Sequence, residues 1–150
     1  MTAGGALLRL QKQFAGLVAG RRGLYHADPL FASHGMLKIG DLYRQQLRVH
    51  AWCFCNGRLP QNQAAMLRRV GGVHSHATRS AGSGLFLATR DHRSVGYRVP
   101  KEWATLSEGQ RGICSLAALK QESKGGFLAG YGSFACREVG CRVCARQGGQ

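Results

Sequence analysis

Acidic residues are scarce in this chain. Three Asp (Asp28, Asp41, Asp91) and four Glu stand against twenty-one Lys and Arg, a formal charge of +14 over 150 residues. That scarcity excludes whole classes of chemistry. Polymerase and nuclease sites hold two divalent ions between clustered carboxylates. Here the aspartates are scattered, and no tyrosine-x-aspartate-aspartate element exists. Serine sits in no Gly-x-Ser-x-Gly elbow, and no cysteine is flanked by a diagnostic nucleophile motif. An enzyme acting on its own is therefore not expected. Long apolar runs are missing too. Arg, Lys or Gln breaks every hydrophobic stretch before it reaches the roughly 20 residues that cross a bilayer, so no membrane span is expected.

What the chain has instead is arginine, sixteen residues against five lysines. Lysine serves a merely solvated surface as well, whereas arginine is favoured where a planar fork must meet phosphate. A polyanion neutralises such a charge and releases counterions, so nucleic acid is the first partner to expect and an anionic membrane surface the second. A hydrophobic content of 44% over this length suits one packed domain and argues against disorder. The first 27 residues hold no acid and carry Arg9, Lys12, Arg21 and Arg22 on a helical pattern. That also resembles a mitochondrial presequence. The pattern runs on smoothly past Asp28, and a cytoplasmic or nuclear location is expected.

Periodicity is mostly helical. Leu7, Leu10, Phe14 and Leu17 share one face of a helix over 6–19, with Arg9, Lys12 and Gln13 on the other side and Gly20 as its stop. Asp28 and Pro29 read as the N-cap and first residue of a short helical turn closed by Gly35. The clearest helix covers 40–55, where Tyr43, Leu47, Ala51 and Phe54 form a stripe with Arg44, Gln45 and Arg48 outside it. Asn56-Gly57 ends it, Leu59-Pro60 turns the chain, and Gln61–Val70 reads as another helix. Ser107 caps a further one to about Lys120, with Phe127, Leu128 and Tyr131 adding a turn beyond Gly125-Gly126.

Between the fourth and fifth helices lies the stretch from His74 to Trp103. Two β-like runs, Leu85–Thr89 and Val95–Val99, flank the polar turn Arg90-Asp91-His92-Arg93-Ser94, which predicts a hairpin or a pair of extended segments. Its Arg79, Arg90, Arg93 and Arg98 are the expected phosphate contacts, supported by Arg68, Arg69 and Lys101. Tyr97 and Phe86 are candidate stacking platforms for bases, or core residues. The plainer alternative is a solvated basic loop clamped between helices. The fold expected is thus mainly α, a small antiparallel helix cluster with a short Arg-rich insertion.

The six cysteines do not pair into a regular framework, and no secretory-type leader precedes them, so reduced thiols or metal ligands are expected. Cys136, Cys141 and Cys144 offer three thiolates within nine residues, and the Cys-x2-Cys pair is a half-site for tetrahedral zinc. Cys114, or His74 and His76, would have to supply a fourth ligand; the alternative is three thiols in a mobile tail. His74 and His76 are otherwise hydrogen-bonded loop residues or phosphate donors. Cys53 and Cys55 lie on a helix, where residues two apart face different ways, and read as packing residues.

Taken in chain order, several short motifs resemble the region downstream of the polymerase core in non-LTR (LINE-type) retrotransposon reverse transcriptases. They begin with Leu10-Gln11-Lys12, His26-Ala27-Asp28-Pro29-Leu30-Phe31 and Leu37-Lys38-Ile39-Gly40-Asp41-Leu42-Tyr43. They continue with Leu59-Pro60, the histidine-x-x-threonine-arginine-like Ser75-His76-Ala77-Thr78-Arg79, Trp103, Ser115-Leu116, Lys120 and Tyr131. The likeness covers about Leu7 to Tyr131 and departs from the family at Ala104-Thr105, where the family has asparagine after tryptophan, and at the glycine-rich 80–84. It implies a helical domain over 1–135, a basic Cys-rich tail over 136–150, and the remainder of a reverse transcriptase as partner. It also implies a grip on RNA, or on an RNA–DNA template–primer, through the backbone. A helix cluster shaped to lean on a polymerase core would expose the stripe Leu7-Leu10-Phe14-Leu17 when cut loose. Two rival readings stay open: an independent basic module supported by zinc, and a translated remnant of a decayed element with no biochemical role.

Overall fold

The computed structural model describes residues 3–22, 25–70, 86 and 88–132. Among these residues the chain is mainly α, with seven helices: α1 (Ala3–Val18), α2 (Asp28–Ser33), α3 (Ile39–Cys55), α4 (Gln61–Ala64), α5 (Val95–Ala104), α6 (Glu108–Arg111) and α7 (Leu116–Gly132). The described residues hold no strand, only an isolated antiparallel bridge between Arg69 and Phe86. No described helix is long and apolar enough to cross a membrane. The chain divides into two compact units, Met1–Leu42 with Ser123–Gln150, and Tyr43–Glu122.

In the first unit α1 does not bury its leucine stripe. Leu7, Leu10, Phe14 and Leu17 are 49% to 77% exposed, while Ala15 is fully buried. The small side of the helix is the one that packs. A Cβ on Gly16 would fall 1.9 Å from the Tyr25 hydroxyl, so the tyrosine ring lies directly on that glycine, and its hydroxyl donates to the Lys12 carbonyl at 3.1 Å. Ala15, Ala27, Phe31 and Tyr131 form the core of this unit, with the Phe31 and Tyr131 rings edge to face at 6.4 Å. Gln11 ties α1 to the start of α3: its amide donates to the Leu37 carbonyl at 2.7 Å and accepts from the Ile39 N–H at 2.8 Å. That satisfies one of the orphan donors at a helix start.

Asp28 does not cap α2; Ala27 occupies the N-cap with helical dihedrals, and Pro29 is the second helical residue. The Asp28 carboxylate instead pairs with Lys38 Nζ at 2.7 Å, and that ammonium lies 4.4 Å from the centre of the Tyr131 ring. The Tyr131 hydroxyl accepts from the Lys38 N–H at 3.1 Å and donates to Asp41. Burial, then the bond to Asp41, pushes this phenol well above its ordinary value.

The second unit is built on α3 and α5. Leu47, Ala51, Trp52, Leu67, Phe86, Val99, Trp103, Leu106 and Leu119 make one buried cluster. Gln45 and Arg48, expected outside the stripe, are inside it, each 8% exposed. The reason is polar satisfaction: Gln45 donates to the Lys120 carbonyl at 2.9 Å, and Arg48 pairs with the buried Glu102 at 2.7 Å. Arg44 donates to the same carboxylate at 3.0 Å. Trp52 Nε1 donates to the Ile113 carbonyl at 2.7 Å. His50 Nε2 is buried without a partner among the described residues, and desolvation lowers the pKa of this imidazole.

Three expectations about local structure are corrected. The first concerns Val95–Val99, which is not extended but opens α5. Gly96, Val99, Pro100 and Trp103 are buried at helical spacing, and that burial outweighs the β preference of two valines. Pro100 cannot bond the Gly96 carbonyl four residues back; the Thr89 N–H takes that acceptor at 3.1 Å. Phe86, from the first β-like run, is core, and Leu85 and Leu87 lie outside the described residues. Second, the helix expected over Gln61–Val70 stops at Ala64, because the chain tightens through i→i+3 bonds at Met66 and Leu67 to deliver Arg69 to its bridge.

Third, the helix from Ser107 is a single turn. Ser107 and Gln110 form a reciprocal capping box, but Gly112 ends the turn and α7 begins afresh at Leu116. The expected break at Gly125-Gly126 is absent, and α7 runs through both.

These networks can be tested by two substitutions. Glu102→Gln is expected to cost about 3 kcal/mol in urea denaturation, since Arg48 keeps its burial and loses its counter-charge. Tyr131→Phe should cost about 2 kcal/mol by removing a donor to a charged group. Because folding raises the Tyr131 phenol, its contribution is complete below the unfolded value of about 10 and fades as pH rises beyond it. Alkaline titration of stability should therefore be steeper for the parent than for the Phe variant.

Candidate nucleic-acid interface

The basic residues singled out by sequence meet different fates. Arg79 lies outside the described residues, as do His74, His76, Cys136, Cys141 and Cys144. Of the rest, Arg68 and Arg93 come together. Both line an open groove of about 750 Å³ whose other walls include Met66, Thr89, Val95 and Gly96. Met66 is 57% and Val95 39% exposed there. At Gly96 the backbone packs closely: a Cβ there would meet Thr89 Cγ2 at 2.9 Å and the Met66 carbonyl at 3.1 Å. The first turn of α5 thus presses against both walls.

The turn before α5 is held by short polar contacts. Asp91 accepts the Arg93 N–H at 3.0 Å, the Ser94 hydroxyl donates to the Asp91 carbonyl at 2.8 Å, and Thr89 Oγ1 sits 2.8 Å from Ser94 Oγ. Since the Ser94 proton is committed, Thr89 is the donor of that last pair.

On the outer face of α5 stand Tyr97, Arg98 and Lys101. Arg98 donates to the His92 carbonyl at 3.2 Å and to the Tyr43 hydroxyl at 3.3 Å, with its guanidinium 5.6 Å from the centre of that ring. The Lys101 ammonium lies 5.7 Å from the Tyr97 ring centre, and His92 meets the same ring edge to face at 4.4 Å. Tyr97 is half-buried between them. Sequence reasoning missed Tyr43 and His92. Nothing in linear spacing links Tyr43 to an arginine 55 residues later.

One candidate stacking platform is buried, and one expected arginine is engaged with the backbone. Phe86 is 7% exposed, wedged between Phe54 and Trp103, so no base can stack on it. Arg69 faces the end of α3, where it donates to the Cys55 carbonyl at 3.2 Å and covers Phe54. Arg69 itself stays exposed. Arg90 is exposed on the turn.

Cations outnumber carboxylates on this face, where Asp91 is the exposed acid of the turn. Glu102, the acid of α5, points inward to Arg44 and Arg48. Asp91 turns an oxygen to backbone. Among the described residues no carboxylate pairs with Arg68, Arg90, Arg93, Arg98 or Lys101.

The described thiols do not form a ligand set. Cys53 and Cys55 pack against the core, and burial pushes the Cys55 thiol up by more than the neighbouring Arg69 pulls it down. Cys114 is exposed. Among the described residues no three His, Cys, Asp or Glu side chains are grouped to hold a metal ion. Comparison with protein families, curated proteins and solved structures finds no match to the chain.

Adjacent arginines with different jobs can be told apart. Arg69→Ala should lower stability by about 1 kcal/mol through loss of a charge-assisted bond to a helix end. Arg68→Ala should leave it within about 0.5 kcal/mol, as surface substitutions do. Thermal unfolding of the two variants checks both.

Proposed function

We propose that the chain is a non-catalytic relative of the region downstream of the polymerase core in non-LTR retrotransposon reverse transcriptases. It binds the backbone of RNA or an RNA–DNA hybrid with α5 and the turn before it. The observation that carries the binding role is the distribution of charge. Arg68, Arg90, Arg93, Arg98 and Lys101 belong to one unit and meet no carboxylate among the described residues, while Glu102 is turned into the core. Cations left in this state recruit an external polyanion, and arginine forks match phosphate oxygens. Tyr97 and Tyr43, each beside a cation, add ring faces to the same surface.

Some of the residues quoted for the resemblance meet in the first unit. Residues from four separated motifs converge there. Gln11 of Leu10-Gln11-Lys12 holds the backbone of Leu37 and Ile39, and Lys38 pairs with Asp28. Tyr131 closes the set on Lys38, Asp41 and Phe31. These side chains share one task, which is to fix the entry of α3.

Fluorescence anisotropy of a labelled single-stranded RNA, titrated at low and moderate salt, tests the binding role. Affinity should fall steeply with salt, and replacing Arg68, Arg90, Arg93 and Arg98 by Ala should flatten the slope by about 0.7 for each phosphate no longer neutralised. Unchanged affinity and slope in that variant would remove the assignment.

A further inference from the structure

We infer that the groove between Met66 and Val95 takes up one unstacked base of the bound strand, with the adjoining phosphates on Arg68 and Arg93. This rests on the backbone-binding reading and adds to it a discrete nucleotide subsite. Backbone contact alone needs only exposed cations. The groove offers more, since two arginines share it with apolar walls and no carboxylate lines it. Its volume of about 750 Å³ lies within the roughly 300–1,000 Å³ that small ligands occupy. Phosphate beside a flat, largely apolar ring is the combination these walls and cations match.

The walls are of suitable chemistry. Met66 and Val95 are large apolar side chains left open to solvent at a concave site. A thioether adapts its shape and packs favourably on ring faces. Thr89 has its proton engaged with Ser94, so its oxygen faces a ligand only as an acceptor and suits a base N–H. Gly96 sets the spacing, because any side chain there would push α5 away from Thr89 and the Met66 carbonyl. An acidic peptide would use the arginines but leave the apolar walls bare, so a nucleotide fits the whole groove better.

The experiment compares a short labelled oligoadenylate with the same ribose-phosphate strand lacking bases, by anisotropy against the full chain. The base-bearing strand is expected to bind about ten-fold more tightly, as burial of part of one base against apolar walls allows. Met66→Ala combined with Val95→Ala should lower that preference several-fold and leave the salt slope unchanged. Both side chains are solvent-exposed, and circular dichroism of the double variant verifies that it is folded. Equal binding of the two strands by the parent chain would overturn the groove assignment while leaving backbone binding intact. A preference undiminished in the double variant would also overturn it. Failure of both strands to bind would overturn the backbone reading, and the groove assignment with it.

Discussion

A single buried carboxylate organises the second unit. Glu102 lies under α5 with Arg48 at 2.7 Å and Arg44 at 3.0 Å, both from α3. Burying an ion is costly, and only close, well-aligned counter-charges offset it. The geometry that meets this demand fixes the rotation of α5 about its own axis. With Glu102 inward, Val99 and Trp103 are carried into the core beside it, and Tyr97, Arg98 and Lys101 are left on the outer side. Arg48 is thereby drawn into the core, and the only acid of α5 is withdrawn from the face that would otherwise be partly neutralised.

That arrangement explains which features were legible in the sequence and which were not. Helices α1, α2 and α3 follow from periodicity and end where glycine permits a left-handed residue: Gly20, Gly35 and Gly57 all have positive φ. The Ser107 cap was legible for the same local reason. Arg48 was not, because a charge on a helix reads as solvated unless its partner is known, and Glu102 lies 54 residues away. The helix of α5 was obscured by its proline and valines, although Gly96, Val99, Pro100 and Trp103 already carry the 3.6 period. Arg68 and Arg69 are indistinguishable as text. Their surroundings differ because the Arg69–Phe86 bridge fixes the local chain and the Arg69 guanidinium reaches the Cys55 carbonyl. The groove had no signature at all, since its walls come from segments on either side of 71–85.

The first unit depends on a different set of forces. Its core is small, and much of its order comes from polar side chains that each serve two partners: Gln11 on Leu37 and Ile39, Lys38 on Asp28 and the Tyr131 ring, and Tyr131 on Lys38 and Asp41. Such a unit is sensitive to polar substitutions that a hydrophobic pattern would pass over. Leu7, Leu10, Phe14 and Leu17 of α1 contribute little to holding it together, since they face solvent and Ala15 and Gly16 do the packing.

The carbonyl freed by Pro100 has a consequence for how the second unit opens. Gly96 accepts its bond from Thr89, a residue of the preceding loop, so the loop supplies a rung that the helix cannot make for itself. Loop and helix therefore exchange with solvent as one cooperative segment: the Thr89 amide is protected for as long as the first turn of α5 is wound, and is released when it unwinds. A hydrogen-exchange measurement at that one loop amide would read the winding of a helix to which it does not belong.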